Sequence, residues 1–157
     1  MTTVSELADI EAIKTLKARY TRFIDTKNWD GLASLFSDDA VFDIGVDIDS
    51  GKETWTKAEY VKLTSEMLSG ATTVHQAYMP ELEITGPATA TGIWAMFDYL
   101  DFNGAPGPLP QGGSVVRGYG YYHEEYVKED GGWRISSYRV TRLRLDEYPS
   151  SDCSPIG

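Results

Sequence analysis

Apolar residues recur at three- and four-residue intervals through Leu7, Ile10, Ile13, Leu16, Tyr20 and Ile24, the period of a helix with one greasy stripe. Thr3 and Glu6 stand at capping-box spacing, so the helix is predicted to begin near Ser5 and run to about Lys27, where Asn28 stops it. A stripe of that length must lie across something broad and flat. A second, short helix is predicted over Trp29 to Phe36, with Trp29, Leu32, Leu35 and Phe36 turned inward. Ala40 to Val46 alternates as a strand, and Asp49 to Gly51 turns the chain. Thr56 and Glu59 repeat the capping-box spacing, which places a third helix over Lys57 to Leu68 with Gly70 as its left-handed stop.

Beyond that point the helical signals cease. Four long pieces, Thr73 to Ile84, Ala88 to Phe102, Ser114 to Lys128 and Gly132 to Leu145, are rich in β-branched and aromatic residues. Thr85 to Pro87 and Glu129 to Gly132 are compact turn chemistry, so these strands are expected to pair as antiparallel hairpins. The one long connection, Asn103 to Gly113, holds three prolines and four glycines and reads either as the rim of a pocket or as a surface hairpin. Helices first and a strand meander afterwards predict an α+β fold, a conical barrel of a strongly curved, mostly antiparallel sheet closed by three N-terminal helices. One domain over residues 1–148 and a polar tail over 149–157 account for the chain.

At 157 residues, with 41% hydrophobic and 12% aromatic content, the chain can bury one substantial core. A formal charge of −10 and a pI near 4.6 disfavour nucleic acid and anionic membranes as partners. The amphipathic start is unlike a secretory signal and no later stretch approaches a membrane span, which predicts a cytoplasmic location. Cys153 is the only cysteine and reads as a spectator thiol in the tail. Two histidines without metal-ligand spacing, and the lack of a phosphate-cradling glycine motif or nucleophile elbow, predict neither metal nor cofactor. Cofactor-free acid–base chemistry, or simple ligand binding, is left.

Within the piece from Ala88 to Phe102, Trp94, Met96, Asp98 and Leu100 share one face, while Ile93, Ala95, Phe97 and Tyr99 share the other. Both faces are apolar, so a carboxylate in the middle must be paired, used, or placed on an edge. His75 opens the preceding strand on a face with Ala77 and Met79, a pattern that suits a core histidine or a base. Tyr20 and Asp25 fall about 140° apart on an ideal helix and converge only if it unwinds near Thr26. Asp25 also stands at the negative end of the helix dipole, which favours pairing with an imidazole, and it serves equally as part of the helix stop. Arg142 shares a face of the last strand with Arg134, Tyr138 and Val140; it either anchors an anion or pairs with an acid. His123, beside Glu124 and Glu125 in a stretch that reads as exposed, is set aside.

From Val4 to Tyr148 the chain resembles the SnoaL-like branch of the nuclear transport factor 2-like superfamily. The likeness is carried by DIEAIKTLKARY at 9–20, D-x-K-x-WD from Asp25 to Asp30, TATGIW at 89–94 and Y-x-K-x-DG-x-W from Tyr126 to Trp133. It is similar to the bile-acid 7α-dehydratases; scytalone dehydratase and hexachlorocyclohexane dehydrochlorinase belong to the same branch. The resemblance implies a deep pocket in which Tyr20, Asp25, His75 and Asp98 are catalytic and Arg142 meets the substrate. Trp94 and Tyr122 are expected beside Arg142 as substrate contacts. The proline-rich loop at 103–113 and the residues Tyr78, Tyr119, Tyr121 and Tyr122 depart from the bile-acid pattern and make the pocket more aromatic. Relatives that form trimers or dimers imply a homo-oligomer, with the trimer favoured.

Taken with the acid–base residues, the resemblance implies a cofactor-independent lyase. It would eliminate water from a hydrophobic polycyclic substrate, steroid-like or aromatic, that carries a hydroxyl near a carbonyl. His75, oriented by Asp25, would take the carbon-bound proton. Asp98, held protonated by its apolar strand, would donate to the departing hydroxyl, and Tyr20 would bind the carbonyl oxygen. An isomerase, cyclase or carbon–carbon lyase acting on an aromatic substrate is the second expectation. A non-enzymatic ligand-binding module is the third, and it predicts His75 and Asp98 far apart or exposed.

Overall fold

The computed structural model describes residues 3–48, 51–109, 112–130 and 132–149. The tail with Cys153, the turn residues Asp49 and Ser50, and Pro110, Gln111 and Gly131 lie outside them. Among the described residues the chain forms helices α1 (Val4–Asp25), α2 (Trp29–Ala33) and α3 (Lys57–Leu68), and strands β1 (Phe36–Asp43), β2 (Trp55–Thr56), β3 (Thr72–Gly86), β4 (Thr89–Asp101), β5 (Val115–Glu129) and β6 (Gly132–Tyr148). The strands make one sheet in the order β2-β1-β6-β5-β4-β3. Every pairing is antiparallel except β1 with β6. The expected α+β architecture is present, with one correction: β2 and β3 are edges, so the sheet is not a closed barrel and helices cover its open side.

Both capping boxes form. Thr3 and Glu6 satisfy each other's backbone N–H groups at the start of α1, and Thr56 and Glu59 do so for α3. Two local expectations fail. Gly70 does not take a left-handed conformation; α3 ends with Ser69 still helical, its N–H on the Ser65 carbonyl. Helix α2 stops at Ala33 rather than Phe36, because Ile135 of β6 donates its N–H to the Leu35 carbonyl at 2.9 Å and draws that segment into the sheet. The stripe on α1 also covers less than predicted. Leu7 is 52% exposed, and burial begins at Ile13.

Curvature comes from bulges, each inserting one residue into a strand and bending it. In β3 the pairing with β4 slips between Tyr78 and Glu81, where Met79 adopts φ 46° and Pro80 needs no ladder donor. Met79 therefore turns out to solvent, 77% exposed, instead of sharing the face of His75. Strand β6 slips against β5 between Ile135 and Ser137 and again between Arg142 and Arg144. Its inward residues accordingly switch from Trp133 and Ile135 to Tyr138 and Val140.

The core beneath the helices is aromatic. Phe42 and Tyr60 stack at 4.0 Å between ring centroids, and Tyr20, Phe36, Tyr122 and Tyr138 surround them mostly edge-on or tilted. An ion pair is buried with them: Lys17 Nζ stands 2.5 Å from Glu124 Oε1, both side chains almost wholly removed from solvent. Glu124 was expected on an exposed stretch. It lies inside because β5 alternates without a break from Gly118 to Tyr126.

Candidate active site

A cavity of about 90 Å³, open at its mouth, lies between the concave face of the sheet and helices α1 and α3. Its walls are largely apolar, with Ile24, Ile44, Leu63, Met67, Val116 and Val140 among them, and Pro108 and Leu109 bring the long loop to its rim. Tyr20, His75, Asp98, Tyr122 and Arg142 all line it.

Asp25 reaches His75 through the way α1 ends. Lys27 takes φ 60°, Asn28 N–H reaches back to the Phe23 carbonyl at 2.8 Å, and Lys27 N–H bonds the Ile24 carbonyl at 3.3 Å. This Schellman closure turns the chain sharply after the last helical residue and leaves the Asp25 side chain facing β3. Asp25 Oδ1 lies 2.7 Å from His75 Nδ1 and accepts from the Thr73 hydroxyl at 2.8 Å, while Oδ2 accepts the backbone N–H of His75 at 2.8 Å. Lys27 Nζ donates to Thr73 at 2.8 Å, extending the network by one cation. Burial pulls the Lys27 ammonium below its ordinary pKa, with Asp25 opposing. With a carboxylate on Nδ1, the ring proton belongs on that nitrogen, and Nε2 is the basic one.

Asp98 faces His75 directly across the β3–β4 ladder and is 3% exposed. The expectation that its apolar strand keeps it protonated is corrected, because Arg142 Nη2 donates to its Oδ2 at 2.8 Å. It is an acceptor within an ion pair. Its other oxygen, Oδ1, is buried and has no hydrogen-bond partner among the described residues. Gly118, opposite Asp98 on β5, leaves the room for this arrangement, since any Cβ there would collide with Asp98 Oδ1 and Arg142 Nη1. Arg142 is bound on its other edge by Asp47, with Nε to Oδ1 and Nη2 to Oδ2 both 2.8 Å. Burial disfavours the guanidinium charge, but Asp47 and Asp98 outweigh it and raise its pKa further.

Three phenols meet at the inner end. Tyr20 OH lies 2.8 Å from Tyr60 OH and 2.9 Å from Tyr138 OH. Burial pushes Tyr20, Tyr60, Tyr122 and Tyr138 above the ordinary phenol range, and their mutual proximity adds to it for Tyr20 and Tyr138. All four are therefore neutral donors at neutral pH. Lys17 sits beneath this cluster, 3.5 Å from the Tyr122 ring centre and 4.1 Å from that of Tyr20. Burial lowers its pKa, against the pull of Glu124.

The structure thus brings together Tyr20, His75, Asp98, Arg142 and Tyr122, with Asp25 behind His75. It does not bring Trp94 to the cavity. That indole is buried deeper on β4 and donates to Tyr126 OH at 2.8 Å, and Tyr126 donates to Glu124. Tyr60, Tyr138 and Asp47 were missed. Tyr60 and Thr64 share a face of α3 at helical spacing, a signal that was available; Asp47, in a turn after β1, offered none. Among the described residues no three His, Cys, Asp or Glu side chains group to hold a metal ion, and no helix is long and apolar enough to cross a membrane.

The "Probable cyclase FGR4" of Gibberella zeae is 28% identical over 138 residues, covering 83% of this chain and 89% of that protein. Among solved structures, a type 2 hexachlorocyclohexane dehydrochlorinase superposes with a TM-score of 0.75 at 22% identity, covering 96% of each chain. A provisionally assigned scytalone dehydratase of Novosphingobium aromaticivorans gives 0.72 at 18% identity, over 96% of this chain and 95% of that one. At those identities the structural likeness speaks for the cone-shaped nuclear transport factor 2-like fold alone. The family model of the SnoaL-like domain matches residues 5–139, so the chain belongs to the SnoaL-like family.

Proposed function

We propose that this protein is a cofactor-independent lyase that eliminates water from a hydrophobic polycyclic hydroxy substrate, steroid-like or aromatic, with a carbonyl near the hydroxyl. One observation carries the reading: a carboxylate-backed imidazole, a cluster of neutral phenols and a buried carboxylate paired with Arg142 all border one apolar cavity. His75 Nε2 takes the proton from the carbon beside the carbonyl, and Asp25 steadies the imidazolium. Tyr20, supported by Tyr60 and Tyr138, donates to the carbonyl oxygen as enolate charge develops. The substrate hydroxyl hydrogen-bonds to the Asp98 carboxylate. As the carbon–oxygen bond breaks and the carbon–carbon double bond forms, the proton held by His75 passes to the departing oxygen. Water leaves and the imidazole is neutral again.

The test is incubation with a panel of hydroxylated 3-oxo steroids and aryl diols, with products followed by mass. Loss of water is expected. His75→Ala should lower kcat at least about a hundredfold, and Asp98→Asn, which sets an amide donor against Arg142 or the substrate hydroxyl, at least about tenfold; activity within a few fold of wild type would remove the assigned role. A second reading, isomerisation or ring closure of an aromatic substrate, is favoured by the phenol cluster and by the likeness to a cyclase; it predicts products of unchanged mass. A pure binding module is disfavoured, because His75 and Asp98 are register partners on one cavity wall. We further propose a homo-oligomer, a trimer in line with the resemblance, and a cytoplasmic location. Exposed Val74, Tyr78, Ile93 and Tyr121 on the outer face of the sheet support assembly.

A further inference from the structure

The side of Arg142 that would receive a ligand's carboxylate is already filled from within the chain. A guanidinium binds a carboxylate best in a forked pair of parallel hydrogen bonds. Asp47 makes that fork, its two oxygens each 2.8 Å from Nε and Nη2. Nη2 also serves Asp98 at 2.8 Å, and Nη1 lies 3.6 Å from Met96 Sδ. Asp47 arrives from the turn after β1, held by its N–H on the Ile44 carbonyl at 2.9 Å, and Ile44, Asp47 and Ile48 line the cavity together. One cation and two carboxylates leave this wall with a net negative charge, mostly shielded from water. The Asp98 carboxylate, whose Oδ1 has no hydrogen-bond partner among the described residues, is an acceptor and repels anions.

We propose that Asp47 is a specificity-determining residue: it occupies the anion-binding edge of Arg142 and restricts the cavity to neutral ligands that donate a hydrogen bond to Asp98. The inference rests on reading the cavity as a small-molecule site, and it narrows the substrate to uncharged hydroxy compounds. A ligand carboxylate would have to displace Asp47 into water or face two carboxylates at close range, a like-charge penalty that corresponds to about a hundredfold or more in affinity.

The experiment compares two probes of similar shape, 2-naphthol and 2-naphthoate, titrated near neutral pH into wild type, Asp47→Asn and Asp47→Gly, with affinity read by calorimetry. Wild type is expected to prefer naphthol at least about a hundredfold. The variants should close most of that gap, chiefly by gaining naphthoate. Wild type binding the two probes equally, or variants that leave the ratio unchanged, would overturn the proposal. Should the variants fail to fold, the wild-type ratio decides. If neither probe binds wild type, the small-molecule reading fails, and a separate measurement judges Asp47. Formate should raise the melting temperature of Asp47→Gly above that in equal chloride and leave wild type unmoved; no formate-specific rise would sink the claim.

Discussion

The phenol cluster makes a quantitative claim about alkaline pH. Tyr20, Tyr122, Tyr126 and Tyr138 are held well above a phenol's ordinary 10.0, and Tyr60 above it, in each case first by burial. A group whose folded-state pKa is raised contributes stability that is complete below the unfolded value and is lost as pH climbs toward the folded one. Above pH 10, therefore, the unfolded chain releases four protons that the folded chain retains, and Tyr60 adds a fifth only up to its own, less raised value. Each such group is worth about 1.4 kcal/mol per pH unit, so four give a slope of about 5–6 kcal/mol per unit. Lys17 runs the other way: its lowered pKa makes stability rise with pH until the ordinary lysine value of 10.5. It removes about one group's share from the slope below 10.5, and the more exposed Lys27 removes less. A domain of this size has about 5–15 kcal/mol in hand, so cooperative collapse is expected within about two units above pH 10.

The assay is a pH titration followed by phenolate absorbance and by near-ultraviolet circular dichroism in parallel. At least four of the ten tyrosines should stay silent until the dichroism signal is lost, and then ionise together. Tyr122→Phe should shallow the stability slope by about one quarter. If all ten titrate reversibly near pH 10 with the fold intact, the phenols are not sealed, and their proposed role as neutral donors to a substrate carbonyl falls with that result.

Other outcomes follow from the same packing. Lys17→Met strands the Glu124 carboxylate and should cost about 3–5 kcal/mol by urea unfolding, most of it recovered by adding Glu124→Gln, which can still accept from Tyr126. Gly118→Ala forces a methyl into the Asp98–Arg142 pair; turnover of whichever panel substrate proves active should drop at least about tenfold while far-ultraviolet dichroism is unchanged.

Much of the fold was legible because its signals are local. Thr3 with Glu6 and Thr56 with Glu59 satisfy backbone donors three residues apart, so their spacing alone marks two helix starts. The strand pieces were legible from composition, but not which way each side chain points. The last strand offered no clean face because it has none: bulges after Ile135 and Arg142 reverse the alternation twice. Met79 was assigned to the face of His75 for the same reason, since a bulge changes parity where no residue type announces it. Asp98 was legible as a carboxylate on a strand apolar on both faces, and the argument that it must be paired or used is satisfied by Arg142.

The residues that escaped share a different property, which is that their reason lies far along the chain. Lys17 sits between helical positions that are plainly apolar, and a lysine there reads as solvent-facing. Its partner is 107 residues away. Glu124 looks exposed beside Glu125 until β5 is placed between β4 and β6. Asp47 reads as an ordinary turn residue, and only the inward turn of Arg142, 95 positions later, gives it work. Each belongs to a charge that the apolar interior must neutralise, and a pattern of hydrophobic positions reports where water is absent, not which charges are paired there. In this protein those pairs surround the cavity: Lys17 with Glu124 under the phenols, Lys27 near Asp25 and His75, and Asp47 with Arg142 and Asp98. Polar chemistry thereby borders an otherwise apolar hollow, and under the proposed function a hydrophobic substrate is held by its rings and addressed at its oxygens.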